Sequence, residues 1–224
     1  MNMINSGILP FVQAMDAFFP IGAYTLSDGM ETYVQQGIVH DKNSLERFLK
    51  SHLYVLPYTK LGFAAKAALG YDYELLDSLC SASISAYEVR NGSKKLCTRF
   101  LKAQSRINGL PMLQEYAGKI KSGSCDGCFP VAVGLFIRSF GIDISDSLSL
   151  YCYNQLSAMV NHAVKLVPLP QLDGQAALAE MLPHISKAVK TAVECEIDEL
   201  GISGSGFELR CIQHETLESR MYIS

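Results

Sequence analysis

Apolar residues recur every three or four positions along most of this chain, which is the spacing of an amphipathic helix. The stretch after Asp143 shows it best, because apolar residues mark one face, and Ser, Asn and Lys another, as far as Lys165. Comparable stripes predict helices over residues 8–19, 30–36, 44–56, 61–69, 74–87, 94–107, 111–121, 131–140 and 178–192. No segment alternates convincingly with a period of two. The pattern therefore predicts an all-α fold, a single-domain helical bundle of about ten helices with short loops.

Capping residues and glycines predict several helix boundaries. Gly37 is expected to follow the helix over 30–36, and Asn43 or Ser44 to cap the next one. Asp143 or Ser145 is expected to cap the long helix that runs to Lys165.

The segment K-L-V-P-L-P-Q-L-D-G-Q, residues 165–175, is a predicted bend between two long helices. Pro168 and Pro170 cannot continue a helix, because each lacks an N–H and disfavours helical geometry in the residue before it. Asp173 is then expected to cap the following helix, and Pro183 to kink it.

Composition narrows the class of protein. Hydrophobic residues make up 49% of the chain and charged residues 18%, whereas about 25% of residues are charged in globular domains. Because the surface is therefore poor in charge, part of it is expected to be covered by another protein chain. The net charge of −3 and the pI of about 5.9 argue against a nucleic-acid partner. The sequence contains no run of about 18 apolar residues, so no membrane span is predicted. The first residues lack a basic leader pattern, and the seven cysteines mostly stand singly in apolar stretches, so a cytoplasmic location is expected.

The pair Cys125-x-x-Cys128, in the Gly-containing stretch 122–130, is the main candidate for chemistry. Two thiols at this spacing can bind a soft metal or form a redox pair. The pair is a weak indication by itself, since a tetrahedral metal site needs four ligands and a thioredoxin-like site needs a βαβ unit. Two ordinary loop cysteines remain the simpler interpretation.

Other catalytic patterns are missing from the sequence. His52, His162 and His184 fall on predicted helices, where surface or hydrogen-bonded core roles are commoner than catalysis. His214-Glu215 is not a zinc-protease motif, because no second histidine follows four residues later. The glycines near residue 204 have neither the lysine of a phosphate-binding loop nor a preceding strand. The residues thus indicate a helical binding protein rather than an enzyme.

Four blocks, taken in order, resemble the UreF family of urease accessory proteins. D-A-F-F-P-I-G-A-Y-T-L-S-D-G-M-E (16–31) is similar to D-S-x-x-P-x-G-x-F-x-x-S-x-G-L-E, and residues 87–96 resemble an Arg-bearing segment loosely. Residues 165–175 resemble R-L-V-P-L-G-Q-T-D-G-Q, with Pro170 in place of Gly. I-Q-H-E-T-L-E-S-R-M-Y-I-S (212–224) is similar to the ending M-R-H-E-x-L-x-S-R-L-F-x-S. Cys128 stands where the family's G-H-x-P-V-x-x-G has histidine.

The resemblance implies a dimeric all-α adaptor with no catalytic residue and no cofactor. Such an adaptor joins UreD (also called UreH) to the GTPase UreG, delivers nickel to apo-urease and controls GTP hydrolysis. Residues 1–206 would form the domain, and residues 207–224 an arm of the same domain that orders on a partner. The expected partner-binding residues are Pro20, Gly22, Ser27, Gly29, Glu31, Arg90, Gln171, His214, Glu215, Ser219, Arg220 and Tyr222.

Two other interpretations stay open at this stage. A metallochaperone would itself carry nickel through Cys125 and Cys128, since nickel accepts thiolate ligands as well as imidazole. A helical enzyme would hold a cofactor inside the bundle and would need a buried acid–base cluster, which the sequence does not show.

Overall fold

The computed structural model describes residues 8–223, and within that range the chain forms eleven α-helices and no strand, which confirms the all-α prediction. Residues 1–7, on which the expectation about a leader rests, and Ser224, the last residue of the expected arm, lie outside the described range. None of the described helices is both long and apolar enough to cross a membrane. The helices are α1 (Ile8–Met15), α2 (Met30–Gln35), α3 (Lys42–Val55), α4 (Lys60–Leu69), α5 (Tyr73–Ser83), α6 (Tyr87–Ile107), α7 (Pro111–Ser122), α8 (Phe129–Phe140), α9 (Ile144–Leu166), α10 (Gln171–Glu194) and α11 (Ser205–His214).

Helix α8 runs through the core, and all its residues from Phe129 to Ile137 are buried. Gly134 lets α4 approach it closely, because a Cβ there would lie 2.3 Å from the carbonyl oxygen of Ala64 and 2.6 Å from the Cβ of Ala67. The helix predicted over 131–140 is therefore confirmed. Its all-round burial explains why the apolar run carries no period of its own.

Helices α9 and α10 pack against each other on either side of the proline bend. Asp143 caps α9 as predicted, its Oδ1 accepting the N–H of Asp146 at 2.8 Å. Gly174 keeps the pair close, since a Cβ there would lie 2.6 Å from Val164 Cγ2. The predicted Asp173 cap is wrong: the cap residue is Pro170, and Asp173 lies in the first turn, where its charge favours the helix dipole. Pro183 lies within α10.

Local hydrogen bonds move two other boundaries. The first helix was predicted to reach Phe19 but ends at Met15, because the Asp16 carboxylate accepts the N–H of Phe18 at 2.7 Å in a local turn. The cap of α3 is Asp41 rather than Asn43 or Ser44. Ser44 is its capping-box partner, with its N–H 2.7 Å from Asp41 Oδ1.

The helix predicted over 74–87 ends earlier than expected, and the next helix begins earlier. Helix α5 ends at Ser83, Ile84 is extended, and α6 begins at Tyr87 rather than near Lys94. Arg90 stabilises the break, because its Nη1 donates to the Ile84 carbonyl at 2.9 Å.

Candidate functional site

The connection between α1 and α2, residues 16–29, is a tight turn that depends on two glycines. Gly22 and Gly29 have φ of 78° and 81°, in the left-handed region that favours glycine. A Cβ on Gly22 would lie 2.6 Å from Arg99 Nη1, and one on Gly29 would lie 2.9 Å from Cys211 Sγ. Gly29 therefore brings the start of α2 directly against α11, near the other end of the chain.

Glu31 receives the end of the chain at this point. It lies buried in the first turn of α2. Its Oε1 accepts the N–H of Met221 at 2.7 Å, and its Oε2 accepts the N–H of Tyr222 at 3.1 Å. A buried carboxylate is costly unless it is paired, and these two backbone donors meet part of that need.

His214, at the last residue of α11, supplies the rest. Its side chain is fully buried, with Nε2 3.1 Å from Glu31 Oε2 and Nδ1 2.7 Å from Glu88 Oε2. Arg220 Nη1 donates to the other oxygen of Glu88 at 2.6 Å. Each ring nitrogen of His214 therefore faces a carboxylate oxygen, and the two carboxylates share one imidazole ring and one guanidinium.

The last residues follow α2 and the turn before it. The backbone carbonyl of Ser219 accepts a hydrogen bond from the side-chain amide of Gln35 at 2.8 Å, and the N–H of Ile223 donates to the Thr25 carbonyl at 2.9 Å. The Tyr222 ring packs edge-on against His162, with centroids 4.6 Å apart. We call the contact between residues 16–35 and residues 205–223 the terminal junction.

Most of the sequence-predicted residues meet in the terminal junction. Ser27 is fully buried, Pro20 lies exposed in the turn, and Glu215 accepts the backbone N–H of Tyr87 at 2.8 Å. Two members, Arg90 and Gln171, lie outside both segments of the junction, and Glu215 and Arg220 bond to residues of α6. Arg90 is engaged with Ile84, and Gln171 is exposed at the start of α10.

The structure also adds residues that sequence reasoning missed. Glu88 joins His214 to Arg220, and His162 packs against Tyr222, although we assigned His162 to the ordinary histidines of helices. Their contacts link positions more than 50 residues apart, so no local pattern marks them.

Cys125 and Cys128 are both buried in the loop before α8. Asp77 holds this loop by accepting the backbone N–H of Cys128 at 2.7 Å. Burial raises the pKa of the Cys125 thiol to about 11, and a hydrogen bond with Cys80 together with burial raises that of Cys128. The thiolate that binds metals is therefore disfavoured at both residues. Within residues 8–223, no group of three or more His, Cys, Asp or Glu side chains is arranged to hold a metal ion.

The fold and the terminal junction define a class: an all-α protein in which the turn before α2 and α2 itself are bound to the C-terminal residues 205–223. Comparison with known proteins gives the family. The family model described as UreF matches residues 39–182. The chain is 35% identical over 217 residues to the urease accessory protein UreF of Actinobacillus pleuropneumoniae serotype 5b, covering 94% of this chain and 96% of the relative. It is 30% identical over 232 residues to that of Streptococcus salivarius, covering 100% and 97%.

The chain therefore belongs to the UreF family. Its relatives are named as accessory proteins and not as enzymes. The family model stops short of the terminal junction at both ends, but the alignments with whole relatives extend over nearly the entire chain.

Proposed function

We propose that this chain is a non-enzymatic adaptor that binds UreD/UreH and the GTPase UreG while nickel is delivered to apo-urease. In this proposal the chain acts as a homodimer in the cytoplasm and modulates GTP hydrolysis by UreG. The family supports the role in urease maturation. All seven cysteines are free and buried, which suits a reducing compartment.

The observation that carries the proposal is the set of exposed apolar side chains around the terminal junction. Phe18 is 94% exposed, Tyr24 66%, Met221 64% and Ile223 51%. The hydrogen bond from Ile223 to Thr25 places Ile223 against the turn that carries Tyr24, and the one from Met221 to Glu31 places Met221 at the start of α2. Large apolar side chains grouped on a surface mark a protein interface, and aromatic ones contribute most of the binding energy. We assign this surface to UreD/UreH.

Most of the α6 residues expected to face UreG are engaged in contacts within the chain. Of the basic residues on α6, Arg90 bonds the Ile84 carbonyl and Lys94 pairs with Asp126, whereas Lys95 is exposed. We therefore treat Arg90 as a residue that positions the start of α6. Its effect on UreG would be indirect.

Co-elution of the chain with its host's UreD/UreH and UreG, read by light scattering, tests the adaptor role and the dimer together. Phe18→Ser and Tyr24→Ser should each weaken UreD/UreH binding about tenfold or more, because each removes an exposed aromatic anchor. Tyr54→Ser is the matched control, since Tyr54 is 79% exposed on α3, outside the terminal junction. Equal loss in all three variants would reject this surface, and a chain that ignores both proteins would reject the adaptor role.

A further inference from the structure

Helix α6 carries four basic side chains at helical spacing: Lys95, Arg99, Lys102 and Arg106. At about 3.6 residues per turn and about 1.5 Å per residue, this spacing keeps them within an arc of about 60° and a length of about 16 Å. All four residues are exposed. We call these four residues the α6 basic face.

The α6 basic face has no acidic partner among residues 8–223. None of its members forms an ion pair there, although Lys94, on another side of the same helix, pairs with Asp126. Glu88 is the single acidic residue of α6, and His214 and Arg220 already contact its carboxylate. Like charges three and four residues apart on a helix repel one another, so the face destabilises its own helix. An occupant of opposite charge would relieve that repulsion.

Arg99 joins the α6 basic face to the turn before α2. Its Nη1 donates to the Ile21 carbonyl at 3.0 Å, and the ring of the next residue, Phe100, lies 6.1 Å from that of Phe19, centroid to centroid. Phe18, which directly precedes Phe19 in the chain, is exposed. The basic face therefore borders the apolar surface that we assigned to UreD/UreH, and partners bound to the two surfaces would lie side by side.

The distribution of charge indicates what kind of occupant fits. Two members of the face are arginines, whose planar guanidinium group can form two parallel hydrogen bonds with one carboxylate. The face is short, and the whole chain has a net charge of −3, so the rest of its surface is acidic on balance. A nucleic acid or an anionic membrane would extend over that acidic remainder and be repelled by it. A compact group of Asp and Glu side chains on a protein would meet the basic face alone.

We propose that the α6 basic face binds an acidic surface of a partner protein, and that this partner is UreG. The choice of UreG rests on the adaptor role proposed above, in which UreD/UreH already occupies the neighbouring apolar surface. Arg106 and the remaining donors of Arg99 form hydrogen bonds with carboxylates of the partner. Lys95 and Lys102 add electrostatic attraction, which raises the rate of association.

Charge reversal by Lys95→Glu together with Lys102→Glu tests the proposal. Each new carboxylate stands four residues before an arginine, Arg99 or Arg106, an order that stabilises a helix, so this α6 variant is expected to fold at least as well as the unaltered chain. Binding of UreG to the complex of the chain with UreD/UreH is measured by calorimetric titration at about 50 mM and about 300 mM salt. We expect the affinity for UreG to fall about tenfold or more at the lower salt concentration, and less at the higher one, where salt screens the charges.

Lys187→Glu together with Lys190→Glu is the matched control, because both lysines are exposed on α10 and the net charge changes equally. Loss of UreG affinity in the α6 variant alone supports the inference. Equal loss in both variants, or full UreG affinity in the α6 variant, overturns it and leaves the adaptor role intact. Loss of UreD/UreH binding by the α6 variant would assign the face to that partner instead.

A lipid surface is the competing occupant. If the unaltered chain sediments with phosphatidylserine vesicles and the α6 variant does not, while UreG affinity is kept, the face binds a membrane and the inference is overturned. If UreG does not bind even the complex that contains the unaltered chain, the adaptor role fails and the inference fails with it.

Discussion

Glu31 is the residue that joins the start of α2 to residues 214–222. It accepts hydrogen bonds from the backbone N–H groups of Met221 and Tyr222 and contacts His214, and its own side chain is buried. Of these contacts the sequence could predict only the participants, since Glu31, His214 and Tyr222 belong to recognisable blocks. It could not predict that the blocks meet, because that depends on how the intervening helices pack.

Glu31→Gln tests the energetic weight of these contacts. The amide has one acceptor oxygen and no charge, so the junction loses part of the acceptor capacity that Met221, Tyr222 and His214 use. We expect the free energy of unfolding to fall by about 1–3 kcal/mol, measured by urea denaturation. Glu46→Gln, which removes a surface pair with Lys42 at 3.7 Å, should cost less than about 0.5 kcal/mol. Equal costs would contradict the role we give Glu31.

The low pKa values of His52 and His162 predict that the free energy of unfolding depends on pH. In the unfolded chain each binds a proton near pH 6.5, but in the folded chain only near pH 4. Between these values the unfolded state holds more protons, so the free energy of unfolding falls as the pH drops from about 6.5 towards 4. The slope is at most about 1.4 kcal/mol per pH unit for each histidine.

His162→Gln should reduce that slope, because glutamine does not titrate in this range. His184→Gln is the control, since His184 is exposed on α10. The comparison is made by urea denaturation at several pH values between 4 and 7. A His162→Gln variant with the full wild-type slope would show that His162 titrates normally in the folded chain.

At the scale of elements, periodicity predicted the helices well, and their ends less well. Helix α8 and the long α9 follow directly from their apolar faces and from the Asp143 cap. The break between α5 and α6 does not, since Ile84 is held in an extended conformation by Arg90, six residues further along. Such a contact outweighs local helix propensity, so the break cannot be predicted from propensity alone.

The packing of α2 on α11 is the element-level contact that decides the terminal junction. Gly29→Ala would combine an unfavourable positive φ with a Cβ 2.9 Å from Cys211 Sγ and 3.2 Å from the Cys211 backbone nitrogen. Gly37→Ala shares the positive φ, 68°, but its Cβ would meet nothing within 4 Å. Gly37→Ala should therefore cost about 1 kcal/mol, the φ term, and Gly29→Ala clearly more, in thermal or urea unfolding. Equal costs would show that α11 adjusts without penalty.

At the scale of the whole molecule, the turn before α2 and the C-terminal residues form one surface, the terminal junction. Exposed apolar side chains lie at the edge of this surface. The family resemblance placed the motifs in order along the sequence, and three of the four blocks are close matches. It did not show that the first and fourth form one site, nor that the segment expected to be an arm packs on the chain's own α2 and α6. The proposed adaptor role depends on that site.

Removing residues 218–224 tests this account most directly. The shortened chain keeps α11, which ends at His214, but loses Arg220, Met221, Tyr222 and Ile223. Its binding to UreD/UreH is measured by co-elution beside the full chain, with helicity followed by circular dichroism. We predict nearly unchanged helicity and UreD/UreH affinity reduced about 100-fold or more. Full affinity in the shortened chain would contradict the claim that the terminal junction forms the partner surface.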